Sequence, residues 1–147
     1  MRGATLRTTP GNKVHYKFVS QWYEEVVKEY DIYIYCLGYD RWSANYWVEE
    51  MESLIGKDSM LPVAQGKQTL SGPMKRLGAD LEAKIINYNN NPILKWCLSN
   101  TSIDIDKNLN IQPCKTKNQR RRIDGMASLL NAYVALELKR EEYYNII

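Results

Sequence analysis

Two acids in this sequence stand where chemistry could be done. Asp40 comes at once after the apolar run Ile32-Tyr-Ile-Tyr-Cys-Leu-Gly-Tyr39, and Asp124 lies between Ile123 and Gly125 at the head of a long apolar-periodic segment. In open α/β sheets ligands gather at the carboxyl ends of the strands, where a rigid strand positions an acid better than a loop does. The plainer reading is that Asp40 starts a turn, which aspartate commonly does. For Asp124 the plainer reading is that a carboxylate in a first helical turn complements the helix dipole. The Ile-Asp-Gly setting adds something: glycine lets a neighbouring backbone approach on one side while Ile123 anchors the other. Two carboxylates brought together from a strand end and a helix start would suit a divalent cation that also touches phosphate oxygens.

Directly ahead of Asp124, the stretch from Lys115 to Arg122 carries Lys115, Lys117, Arg120, Arg121 and Arg122 and no acid. Such runs are commonly solvated linkers. Here the run leads straight into an acid, so phosphates gripped by the basic side chains would be delivered to a cation held there. Other constellations fail. Asp104, Asp106, Asn108 and Asn110 copy the first ligands of a calcium loop, but Leu109 replaces its glycine and Lys115 its bidentate glutamate, so the segment reads as a hairpin turn. No P-loop spacing occurs. The single histidine, His15, sits in a polar turn with no nucleophile motif beside it, which disfavours a Ser-His-Asp or Cys-His hydrolase. Tyr143 and Tyr144 fall outside the apolar stripes and have no role in this reading.

The bulk properties fit a cytoplasmic globular protein. The 147 residues suffice for one domain, with 44% hydrophobic and 25% charged residues and a net charge of +3. No run approaches ~20 apolar residues, which excludes a membrane-spanning helix, and the basic start lacks the apolar block of a secretion signal. Cys36, Cys97 and Cys114 are odd in number and never paired as C-x-x-C, which points to reduced thiols. No acid precedes Glu24, so the chain's positive charge is unevenly spread, as expected for a polyanion partner.

The elements that must position these residues read in order. Tyr16 to Tyr30 is an amphipathic helix with Phe18, Trp22 and Val26 on one face. The Ile32–Tyr39 run is a strand covered on both faces within a parallel sheet. Ser43 caps a second helix with Trp47, Met51, Leu54 and Ile55 buried, closed by Gly56 in a left-handed cap. A short strand from Met60 follows, then a third helix opened by Ser71 and Pro73, burying Met74, Leu77, Leu81 and Ile85. Asn91 to Asn100 is a short extended or helical piece. Thr101 to Cys114 is a hairpin turning around Lys107 to Asn110. A long last helix, from Arg122 to Tyr144, has its apolar positions at Ile123, Met126, Leu130, Val134 and Leu138. This order describes an α/β or α+β domain with a small sheet, thin enough to suggest that part of it is missing.

Together, Tyr39-Asp-Arg-Trp-Ser-Ala44, the stretch from Val63 to Leu81, Asn91 to Asn100, and Arg121 to Ala132 resemble the C-terminal nuclease domain of tailed-phage large terminase subunits, in that order and spacing over essentially the whole chain. The resemblance implies an RNase H-like fold forming a single partial domain over residues 1–147. It also implies DNA endonuclease activity with two divalent metals, Mg²⁺ or Mn²⁺, held by acids from a first strand, a later strand end and the last helix. Asp40 and Asp124 match the second and third. The first has no counterpart, because residues 1 to 23 contain no acid. The expectation is therefore a piece of a longer terminase or a prophage remnant, weakly active or inactive alone. Its implied partners are double-stranded phage DNA, the small terminase subunit and the portal, in the bacterial cytoplasm. A second copy could pair on an exposed sheet edge. The alternatives are a non-catalytic DNA-binding or assembly module, and another RNase H-like nuclease such as a resolvase.

Overall fold

A computed structural model describes residues 7–42, 45–115 and 121–146. Helix α1, Tyr16–Tyr30, has the extent its 3.6-residue periodicity dictates, but Val19 and Tyr23 are the side chains that reach the core, and Trp22, expected on the buried face, is exposed. It ends where Asp31 turns left-handed at φ 51°, ψ 49°, and the Ile32 N–H donates back to the Val27 carbonyl. The next segment is extended, but only Leu37–Asp40 forms a ladder, as β1. It pairs in parallel with β2, Met60–Val63, from Leu37 opposite Met60 to Asp40 opposite Val63. The strand expected from Ile32 is therefore shortened. Among the described residues no neighbouring strand lies beside 32–36, and Ile32 and Tyr33 are exposed.

Helix α2, Asn45–Ile55, links the two strands, and the cap expected of Ser43 lies outside the described residues. Trp47 and Met51 are buried as expected, whereas Leu54 is exposed. Gly56 ends α2 with positive φ but ψ 146°, an extended glycine conformation rather than a left-handed helical cap.

Helix α3 runs Lys67–Glu82, four residues earlier than its expected start at Ser71. Pro73 stands inside it, its missing N–H tolerated because the ring is buried against the core. Ser71 is not a cap; its Oγ accepts the Ile111 N–H at 3.1 Å and so ties α3 to the hairpin. Past Glu82 the Ile85 N–H donates to Asp80 O and the Lys84 N–H to Leu81 O, with Lys84 at φ 58°, the pattern of a Schellman motif. That turn throws Ile85 outward, where it is exposed rather than buried.

Helix α4, Pro92–Ser99, is capped by Asn91, whose Oδ1 accepts from the N–H groups of Ile93 and Leu94. Strands β3, Thr101–Ile105, and β4, Ile111–Lys115, form the expected antiparallel hairpin. Helix α5, Asp124–Tyr144, completes the order. It buries Met126, Leu130 and Val134 together with Asn131, Tyr133 and Ala135, while Leu138 is exposed.

Side chains alternate along β1, so Leu37 and Tyr39 join Trp47, Met51 and Met60 under α1 and α2. Gly38 and Asp40 face the other way, toward the larger core that Val63, Leu77, Met126 and Leu130 build between α3 and α5. Met51, Val63, Leu77 and Leu130 are almost fully buried, each contributing about 1.5–3 kcal/mol.

Candidate metal centre

Gly38 is the reason the last helix can reach β1. A Cβ on Gly38 would lie 2.4 Å from the carbonyl oxygen of Asn131, so α5 crosses the strand with its backbone against that position. Asp40, two residues on, shares Gly38's face and points toward α5. Its Oδ1 accepts the Trp42 N–H at 3.0 Å, which holds the carboxylate in one rotamer and forms the turn that leaves the sheet. Turn and site thus use the same side chain.

Asp124 is the first residue of α5. Its neighbour Gly125 is approached by the α4 side chains, with Cys97 atoms 3.2 Å and Leu94 Cδ1 3.3 Å from where a Cβ would be. Ile123 packs on the larger core. The apolar anchor expected from Ile-Asp-Gly is present, but what closes on the glycine is side chains rather than the backbone expected. A third tether was not legible in the sequence: buried Asn100 donates from Nδ2 to the Arg122 carbonyl at 3.1 Å, fixing the chain just ahead of Asp124.

Asp40 and Asp124 line the same cavity, of about 770 Å³, which runs along β1 between α1 and α5. Both donors are carboxylate oxygens, the hard type that Mg²⁺ and Mn²⁺ take, and Mg²⁺ is commonly held by one or two carboxylates with water and phosphate completing its shell. The donor chemistry of both side chains suits such a cation. Among the described residues no group of three or more His, Cys, Asp or Glu side chains could enclose one.

The sequence family described as terminase large subunit, endonuclease domain, matches residues 13–140. The chain belongs to that family. It is 25% identical over 129 residues to the large terminase subunit of Enterobacteria phage HK97, covering 88% of this chain and 25% of that protein. The crystal structure of the HK97 large terminase has a TM-score of 0.76 to this fold at 23% identity, over 89% of this chain and 27% of that one. The fold is therefore the RNase H-like α/β architecture expected, although among the described residues its strands form two separate two-stranded sheets rather than one mixed sheet, and the chain spans about a quarter of its relative's length.

In this terminase nuclease domain, Lys115 ends β4 and is exposed, and Arg121 and Arg122 are exposed just before Asp124. Lys117 and Arg120 lie outside the described residues. His15 is exposed at the start of α1 and is not part of the cavity lining. The hairpin turn closes on itself: Asp106 Oδ1 accepts from the N–H groups of Asn108 and Asn110. These bonds, the one from the Asn110 backbone foremost, hold the Asp106 carboxyl below its usual range. Leu109 takes φ 60° where a calcium loop needs glycine.

At the far end of the terminase domain's cavity, Lys139 donates to Glu142, which also accepts from the Tyr35 hydroxyl at 3.0 Å. The Glu142 hydrogen bond raises the Lys139 ammonium, keeping it charged. Burial pushes the Cys36 thiol up, away from a nucleophilic thiolate. Tyr143, without a role in the sequence, packs its ring 5.9 Å from that of Tyr35.

Proposed function

We propose that this domain is the metal-dependent DNA endonuclease part of a phage packaging terminase, hydrolysing phosphodiesters with two divalent cations, Mg²⁺ or Mn²⁺. The observation that carries the reading is the shared cavity of Asp40 and Asp124, one delivered by a strand end and the other by a helix start. These two carboxylates would hold the cation. Bound there, it would supply positive charge beside a phosphodiester and Lewis acidity toward water.

The chain's own residues account for the rest. The Trp42 N–H fixes Asp40, and Asn100 fixes the approach to Asp124. Arg121 and Arg122, with Lys115, Lys117 and Arg120, grip the phosphate backbone without reading base edges, which suits cutting with little sequence preference. Two carboxylates leave much of a cation's shell to water, so the 147-residue chain binds metal weakly and cuts slowly or not at all. Double-stranded phage DNA, the small terminase subunit and the portal are the partners, in the host cytoplasm. The edge of β1, unpaired among the described residues, offers a second copy a place to pair.

Incubation with supercoiled plasmid and Mn²⁺, alongside calorimetric Mn²⁺ titration, tests the reading. Weak binding, and at most slow chelator-sensitive nicking, should both disappear in Asp40→Asn and Asp124→Asn. Undiminished nicking or Mn²⁺ binding in either variant would refute it. The absence of a third ligand among the described residues favours one competing reading, a non-catalytic DNA-binding or assembly module. In that case DNA binding persists in chelator and no variant of the chain shows Mn²⁺ binding.

A further inference from the structure

Beyond Asp40 the chain leaves the sheet through Arg41 and Trp42, whose side chains take no part in either core. Trp42 is 74% exposed. The Arg41 guanidinium lies over its ring, Cζ 5.0 Å from the centroid. The Trp42 main-chain N–H is also the donor that fastens Asp40 Oδ1. Single exposed apolar side chains are ordinary and by themselves mean nothing. This indole is different because of what it is attached to. It is carried by the residue that orients a carboxylate lining the cavity, and a cation covers one of its faces while most of the ring remains open to solvent.

We infer that Trp42, backed by Arg41, is a stacking platform for an unpaired nucleotide next to the phosphate handled by Asp40 and Asp124, an inference that rests on the DNA-cleaving reading above. The ligand class follows from the chemistry of the ring. In an intact duplex both faces of each base are covered by its neighbours, so an indole can stack only on a base that is frayed, bulged or flipped. Stacking on aromatic rings is tolerant of sequence because every base has a π-face. That agrees with a site whose other contacts are to phosphates. Arg41 is itself the cation–π partner of the indole, and with Trp42 74% exposed most of the ring stays open to a base.

Trp42→Ala is a clean test because it keeps the main-chain N–H that holds Asp40 and removes only an exposed ring. Affinities of the 147-residue chain would be measured by fluorescence anisotropy, in chelator so that no cutting occurs, for a fully paired duplex and for the same duplex with a central two-nucleotide bulge. The wild type should bind the bulged duplex about tenfold more tightly. Trp42→Ala should bind both equally, with the paired duplex bound as by wild type, and Trp42→Phe should keep part of the preference. Equal wild-type affinities, or a preference that survives in Trp42→Ala with a native circular dichroism spectrum, overturn the platform and leave the DNA reading standing. If the wild type binds neither duplex, the DNA reading itself falls and takes the platform with it.

Discussion

The carboxylate of Asp40 both closes a turn, through the Trp42 N–H, and faces the cavity it shares with Asp124. Substitutions should separate these roles. Asp40→Asn keeps an oxygen that can accept the same N–H, so its urea midpoint should stay near wild type while Mn²⁺ binding is lost. Asp40→Ala loses both, and should also be destabilised by about 0.5–1.5 kcal/mol in urea denaturation. A second residue-scale prediction concerns Tyr133, buried on α5 with its hydroxyl donating to Asp80 at 3.0 Å. Burial, then the hydrogen bond to Asp80, pushes this phenol up from 10.0 to about 12. A raised folded-state value means the neutral phenol is favoured by folding. Its contribution is fully present below about pH 10 and is lost as pH rises through 10 to about 12. Urea midpoints measured from about pH 9 to about pH 11.5 should therefore fall more steeply for wild type than for Tyr133→Phe. The roles of single residues were only partly legible in the sequence. Asp40 and Asp124 stood out as acids at element ends, but nothing local told what Asn100 and Gly38 do, because their roles depend on chain segments remote in sequence.

At the scale of elements, two glycines make a paired prediction. Gly38→Ala forces a Cβ into the Asn131 carbonyl, backbone that can yield only if α5 moves off β1. It should cost about 1–3 kcal/mol in denaturation and weaken Mn²⁺ binding, since α5 carries Asp124. Gly78, inside α3 with open space around its Cβ position, should instead stabilise by about 0.5–1 kcal/mol when changed to alanine. Helix α1 was legible because a 3.6-residue period runs unbroken through it. The start of helix α3 was not, because Pro73 reads as a first-turn residue when its local sequence is considered alone. In the fold the proline ring is buried, and that packing outweighs the missing hydrogen bond. Ile85 and Leu138 kept the period but found no partner. One lies past a Schellman turn, and the other extends beyond the helices that cover the earlier part of α5.

For the whole molecule, charge placement makes the prediction. Arg121 and Arg122 are exposed beside Asp124, and changing both to alanine should lessen the steepness of log K against log salt by roughly 2, at about 0.9 for each phosphate no longer neutralised. Anisotropy titrations from low to moderate salt would measure it; an unchanged slope would place the DNA elsewhere. The two-sided architecture explains why both acids line one cavity. The alternation of side chains along β1 sends Leu37 and Tyr39 to the core under α1 and α2 and Gly38 to the side of α5, with Asp40 on that same face. By itself the sequence determined the order of elements, the extent of α1, the hairpin, and the family motifs, all of which are written in local spacing. Only tertiary structure decided that Asp40 and Asp124 share one cavity and that Asn100 braces the second of them. Local spacing cannot encode which distant backbone a glycine admits, so that outcome rests on α5 packing directly over Gly38.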